Sequence, residues 1–101
     1  MKTLLLAGAL LVGFGAHAAA PEEALKKAGC TACHSVDKKL VGPAYTVVSA
    51  KYKGKDATDE LMQKVRKGGS GVYGPIPMPP NPPAKINDAD LKAVVEWILK
   101  L

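Results

Sequence analysis

The sequence predicts an all-α fold of four to five short helices. Over residues 91–99, apolar side chains recur at helical spacing, so that they would form one continuous stripe along a helix. No segment alternates apolar and polar residues in the way that a half-buried strand does. The length of 101 residues allows one domain at most.

The beginning of the chain has the features of a secretory signal peptide. Lys2 gives a positive start, residues 4–14 are apolar or glycine, and residues 16–18 (AHA) form a small-x-small cleavage site. An uncleaved membrane anchor is disfavoured, because a spanning helix needs roughly 20 apolar residues. We therefore expect residues 1–18 to be removed and residues 19–101 to form an exported domain without stable membrane insertion. We also expect this domain to be periplasmic and monomeric.

The mature domain would be small and basic. It would keep 83 residues and a net charge of +4, with only four aromatic side chains. Domains of this size often depend on a disulfide, a metal or a cofactor for stability. The lysines are scattered, so a solvated surface and an electrostatic guide for acidic redox partners both remain open. Nucleic-acid binding is not expected, because there is no basic motif and the predicted destination lies outside the cytoplasm.

Four helices can be placed along the mature chain. Pro21 begins the first, and Gly29 follows its end. The spacing of Tyr45, Val48 and Tyr52 predicts the second helix. The third is expected to run to Lys67, with Asp56 or Thr58 as its N-cap and Leu61 and Val65 facing inward. The final helix is expected after Asn87, with Asp90 three residues on in the manner of a capping box.

Residues 30–34 (CTACH) form a C-x-x-C-H motif, the signature of c-type haem attachment. Cys30 and Cys33 lie on one turn of chain, from which both thiols can add to the vinyl groups of one porphyrin. His34 then projects its imidazole toward the iron. The motif therefore predicts one covalent haem c.

Other chemistry for this cysteine pair is less favoured. A thioredoxin-like dithiol would be expected near a βαβ pattern that the chain lacks. A zinc site would need further ligands, but the only other histidine, His17, lies in the predicted leader. A structural disulfide is also possible, but it would not explain why a histidine directly follows the second cysteine.

The second axial ligand is expected to be a methionine. Met1 lies in the leader, and Met62 lies in a predicted helix, where a core role is favoured. Met78 lies within residues 71–83, which hold six of the eight prolines. Prolines fix φ and remove N–H groups that would need partners, so this segment can hold a thioether at the iron. A linker or a Pro-x-x-Pro ligand is the alternative reading of the segment.

Several stretches resemble the short bacterial class I monohaem cytochromes c. They are residues 29–34 (GCTACH), 41–45 (VGPAY), 71–81 (GVYGPIPMPPN) and 96–99 (EWIL). The resemblance covers nearly all of the mature chain, and it implies a compact class I cytochrome c fold with helices wrapped around one haem. It further implies that Leu25 and Trp97 meet where the first and last helices cross, with Gly29 allowing close approach.

The resemblance also implies supporting roles around the haem. The Pro43 carbonyl would accept a hydrogen bond from the His34 ring, as is usual for a metal-bound histidine. The Asn81 side chain would bond near the Met78 sulfur.

Two further residues, Lys64 and Tyr73, would lie near a haem propionate. At the position of Tyr73 the family often has tryptophan. The stretch after residue 81 carries the extra pair Pro82 and Pro83, so the resemblance does not extend closely into it.

The function implied is that of an electron carrier, not an enzyme. Its expected partners are redox proteins such as nitrite reductase, cytochrome oxidase or an upstream quinol-oxidising complex. The alternative is a haem enzyme or gas sensor in which Met78 is displaceable. A colourless dithiol oxidoreductase is a further alternative.

Overall fold

The regular structure is helical throughout the part of the chain that the computed structural model describes, residues 20–101 and Gly8. The elements are α1 (Pro21–Lys27), a 3₁₀ turn (Cys30–Ala32), α2 (Tyr45–Lys51), α3 (Thr58–Lys67) and α4 (Asp88–Leu99). Among the described residues, β pairing is limited to an isolated antiparallel bridge between Gly69 and Met78. The predicted all-α fold is confirmed.

The predicted signal peptide, residues 1–18, lies outside the described residues except for Gly8. In the portion that is described, no helix combines the length and the apolar character needed to cross a membrane. Cleavage of a leader therefore stays a prediction.

The first helix ends just before Gly29, as predicted, but a second expectation for this glycine is wrong. Pro21 lies in its first turn, with Glu22 and Glu23 beside the positive end of the helix. Gly29 follows with a φ of 80°. A Cβ at Gly29 would meet no atom within 4 Å, so the expectation that this glycine allows close helix approach is wrong. The left-handed backbone, not lack of space, favours glycine here.

The start of α3 also differs from the prediction. Its N-cap is Ala57, and no side chain caps the helix, so the expected cap by Asp56 or Thr58 is wrong. Ala57 is only 1% exposed, which indicates that packing into the core sets this helix start. Asp59 and Glu60 in the first turn provide the negative charge that the helix N-terminus favours.

The last helix, α4, is the centre of the core and contacts α1, α2 and α3. Asn87 caps it by accepting a hydrogen bond from the Asp90 N–H at 2.8 Å, as predicted. Burying each large aliphatic side chain contributes about 1.5–3 kcal/mol. The buried stripe consists of Leu91, Val94, Val95 and Ile98.

Residues 68–87 connect α3 to α4 without forming a helix or a strand. The segment is anchored on the end of α3, where the Asn81 N–H donates to the Val65 carbonyl at 3.1 Å. The Gly69–Met78 bridge is a second attachment. An irregular, proline-rich segment is therefore fixed to the helical core at defined points.

Candidate functional site

The C-x-x-C-H motif forms a compact turn directly after α1. The backbone N–H groups of Cys33 and His34 both donate to the Cys30 carbonyl, at 3.1 and 3.0 Å. Both thiols are half-buried. Burial raises the pKa of the Cys30 thiol, and the positive charge of Lys85 opposes this shift. The two sulfur atoms are thus carried on one turn of backbone.

The His34 ring is held from three sides. Its Nδ1 lies 2.8 Å from the Pro43 carbonyl oxygen. Because that oxygen can only accept, Nδ1 carries the hydrogen, and in the neutral ring Nε2 keeps a lone pair for a metal. The ring stacks on Tyr45 with centroids 5.1 Å apart. A Cβ added at Gly42 would collide with the imidazole, so a glycine at this position leaves room for the ring.

Tyr45 extends this wall toward the helical core. It is buried, and its ring meets Trp97 edge-on at 6.1 Å. Trp97 packs against the same core cluster that contains Leu25, which is consistent with the implied meeting of the first and last helices. Burial raises the pKa of Tyr45 far above its ordinary range, with the Cys30 and Cys33 thiols adding to the effect. Tyr45 therefore acts as a neutral apolar support behind His34.

Met78 is held by backbone pairing rather than by a helix. Its N–H donates to the Gly69 carbonyl at 2.8 Å, and its carbonyl accepts from the Gly69 N–H at 3.0 Å. A Cβ at Gly68, where φ is 69°, would collide with the Met78 carbonyl oxygen. Glycine at position 68 therefore permits both the backbone conformation and the close approach of the backbone at residue 78.

One cavity of about 280 Å³ brings three of the four predicted haem-binding residues together: Cys33, His34 and Met78. The fourth, Cys30, packs against the helical core. The second described methionine, Met62, also packs against the core and is not a lining residue. The cavity wall is largely apolar, and its helical part includes Val48, Leu61, Val65, Val95 and Ile98.

Among known protein families, the family model described as "Cytochrome c" matches residues 19–101 of this chain. The chain belongs to the cytochrome c family. Cytochrome c2 of Rubrivivax gelatinosus is 51% identical over 83 residues, covering 81% of this chain and 98% of that protein. Cytochrome c-552 of Hydrogenobacter thermophilus is 46% identical over 102 residues, covering 100% and 99%. The crystal structure of Nitrosomonas europaea cytochrome c552 gives a TM-score of 0.73 at 48% identity, covering 79% and 98%.

These relatives make the chain a small class I monohaem cytochrome c, and the predicted resemblance is confirmed. Members of the family bind covalently attached haem c and act as electron carriers, not as enzymes. The predicted cofactor is likewise confirmed.

The residues of the cavity fit a haem. An imidazole and a thioether, the ligand pair of cytochromes c, both line it, and the wall is apolar. The glycines at positions 42 and 68 leave space against His34 and Met78, where any larger residue would intrude. Cys30 and Cys33 lie on the adjoining turn. The donor set and the shape of the site therefore agree with the cofactor that the family carries.

The two residues expected near a propionate, Lys64 and Tyr73, both line the cavity. Burial raises the pKa of Tyr73, and the nearby Tyr52 phenol adds to the effect. The Lys51 ammonium lies 5.9 Å from the centroid of the Tyr73 ring, within cation–π range. The roles of Lys64 and Tyr73 toward a propionate stay predictions.

Asn81 is buried, with 4% exposed. Its Nδ2 donates to the Val65 carbonyl at 3.2 Å and to the Pro79 carbonyl at 3.0 Å. In this structure the amide is thus directed at backbone carbonyls rather than at the Met78 sulfur. The expected bond near the sulfur stays a prediction.

Three supporting features of the site could not be predicted from the sequence. No contact with His34 was predicted for Tyr45 or Gly42, and none with Met78 was predicted for Gly68. The third feature is Arg66, which donates to the carbonyls of Asn81 and Ile86, downstream of Met78. Glycine gives a signal of special backbone, but not of the side chain or carbonyl that will lie against it. Arg66 gives no sequence signal, since its partners lie 15 to 22 residues away.

Proposed function

We propose that this cytochrome c is a periplasmic one-electron carrier, with haem attached through Cys30 and Cys33 and with His34 and Met78 as the two axial ligands. The observation that carries the proposal is that His34 and Met78 line the same cavity. Bound haem supplies the one-electron Fe(III)/Fe(II) couple. The protein supplies both ligands and an apolar wall.

The chain restrains each proposed ligand separately. The Pro43 carbonyl fixes the orientation of the His34 ring and keeps Nε2 as the ligating atom. The paired hydrogen bonds between Gly69 and Met78 fix the backbone from which the thioether extends. Since His34 and Met78 would fill both axial positions of the iron in the haem-bound protein, no position is left open for a substrate.

The surface around the cavity supports docking to another redox protein. Val41, Val72 and Ile76 line the cavity, yet they are 51%, 51% and 62% exposed. Two cationic side chains, Lys39 and Lys64, line the same cavity. Apolar contact of this kind suits a transient interface, while lysines guide acidic partners. The proposed partners are nitrite reductase, cytochrome oxidase or an upstream quinol-oxidising complex.

Export is part of the proposal, with residues 1–18 as a cleaved signal peptide. Two matches support this boundary. The family model begins at residue 19, and the Rubrivivax gelatinosus cytochrome c2 aligns over 83 residues that cover 98% of its length. The mature chain expected here also has 83 residues.

Carbon monoxide tests the electron-carrier assignment against the alternative of a haem enzyme or gas sensor. The full chain would be expressed in a host that attaches haem, then reduced and exposed to carbon monoxide at neutral pH. The absorption spectrum should not change, because Met78 fills the second axial position. The Met78→Ala variant is the control, and it should bind the gas readily. Rapid binding by the unaltered protein would contradict the proposal.

A further inference from the structure

Arg66, near the end of α3, bonds to two points on the segment that leads from Met78 to α4 and to the first residue of α4. Its Nη1 donates to the Asn81 carbonyl at 3.0 Å and to the Ile86 carbonyl at 2.7 Å. Its Nη2 donates to Asp88 Oδ1 at 2.5 Å. The Arg66 side chain is only 16% exposed. One guanidinium therefore ties together both ends of the stretch from residue 81 to residue 86.

This stretch needs hydrogen-bond donors from outside. Pro82 and Pro83 within it, and Pro79 and Pro80 just before it, have no N–H, so local backbone pairing is limited. Asn81 and Ile86 are 4% and 6% exposed. A buried carbonyl without a hydrogen-bond donor lowers the stability of the folded protein. Arginine suits this task, because its planar head offers several N–H groups in a fixed geometry.

The contact at Asn81 continues toward Met78. The Asn81 N–H and its Nδ2 both donate to the Val65 carbonyl, so this residue is bound to two consecutive positions of α3. Asn81 lies three residues after Met78, and the Gly69 bridge holds Met78 itself. The segment that carries the thioether is thus attached to Gly69 at Met78 itself. Three residues later, at Asn81, it is attached to Val65 and Arg66 of α3.

We propose that Arg66 is a positioning residue for the Met78 ligand, which it holds on the haem by clamping the carbonyls of Asn81 and Ile86. This inference rests on the proposed assignment of Met78 as an axial ligand. The ion pair with Asp88 is a minor part of the clamp, because the Asp88 side chain is 82% exposed and exposed pairs contribute little.

Competition by imidazole on the oxidised, haem-loaded protein tests the clamp. Imidazole can take the second axial position only when Met78 leaves it. The variant Arg66→Met keeps the apolar stem and removes every donor, so the affinity for imidazole should rise at least about tenfold. Arg66→Lys should raise the imidazole affinity by less, because lysine keeps the positive charge but lacks the planar guanidinium with its fixed set of N–H donors. Asp88→Asn should stay within about threefold of the unaltered protein.

Two matched variants separate positioning from general stability and charge. Ser49→Ala removes the hydrogen bond from Ser49 Oγ to the Leu101 carbonyl, 3.0 Å long, beyond the far end of α4. Lys67→Met removes one exposed cation next to Arg66 on the same helix. Both should leave the imidazole affinity unchanged, whatever they do to the free energy of unfolding.

Three results would overturn the inference. The first is an unchanged imidazole affinity in Arg66→Met, and the second is an equal rise in Ser49→Ala. Either would show that Arg66 is merely structural, while the ligand assignment would stand. The third is an iron–sulfur absorption band that survives in Met78→Ala, which would refute the ligand assignment itself.

Discussion

The two proposed ligands of the haem are held in different ways. His34 follows the proposed attachment cysteines immediately, and its ring is enclosed by Pro43, Gly42 and Tyr45. Met78 lies far along the chain in a segment without regular structure, held by one backbone bridge and by contacts at the end of α3. The histidine side is therefore determined mainly by nearby sequence, and the methionine side by contacts between distant residues.

This difference has an energetic consequence. Releasing His34 would require movement of the turn that carries the proposed attachment cysteines and of an aromatic wall that reaches Trp97. Apart from its own bond to the iron, releasing Met78 would require the loss of a few hydrogen bonds, each with a net value of about 0.5–1.5 kcal/mol. We therefore expect the methionine side to open first when the protein is perturbed.

Loss of the attachment cysteines should have the largest effect. The double variant Cys30→Ala, Cys33→Ala would remove the tether of the histidine side and, with it, the covalent haem. Because the mature chain is short and has only four aromatic residues, it should become largely disordered. Far-ultraviolet circular dichroism measures this loss of helix. Helical signal equal to that of the haem-bound protein would contradict the prediction.

A smaller effect is expected from Gly68→Ala, which acts on the methionine side alone. Position 68 has φ 69° and ψ −155°, a conformation nearly restricted to glycine, so strain should cost about 1–3 kcal/mol. The added methyl would also press on the Met78 carbonyl. We expect a weaker iron–sulfur absorption band in the oxidised protein, with the attached haem retained.

Gly54→Ala is the matched control for this substitution. Gly54 has φ 79°, but a Cβ there would meet no atom within 4 Å. It should lower the free energy of unfolding by about 1–2 kcal/mol through backbone strain and leave the band intact. If both variants weakened the band equally, loss of stability rather than displacement of Met78 would explain the effect.

The difference between short-range and long-range contacts also explains which features could be predicted from the sequence. The C-x-x-C-H turn and the Asn87 cap are short-range features, and both lie where the sequence placed them. The start of α3 was mispredicted because Asp56 and Thr58 are good caps locally, whereas burial of Ala57 settles the position. The clamp of Arg66 could not be predicted, because its partner carbonyls are brought together only by the folded chain.

The weak red-end absorption band of the oxidised protein, which arises from iron–sulfur charge transfer, tests the ligand assignment most directly. The unaltered protein should show the band at neutral pH. Met78→Ala should abolish it, whereas Met62→Leu should leave it unchanged, because Met62 packs against the helical core. Loss of the band in Met62→Leu, or its survival in Met78→Ala, would contradict the assignment of Met78.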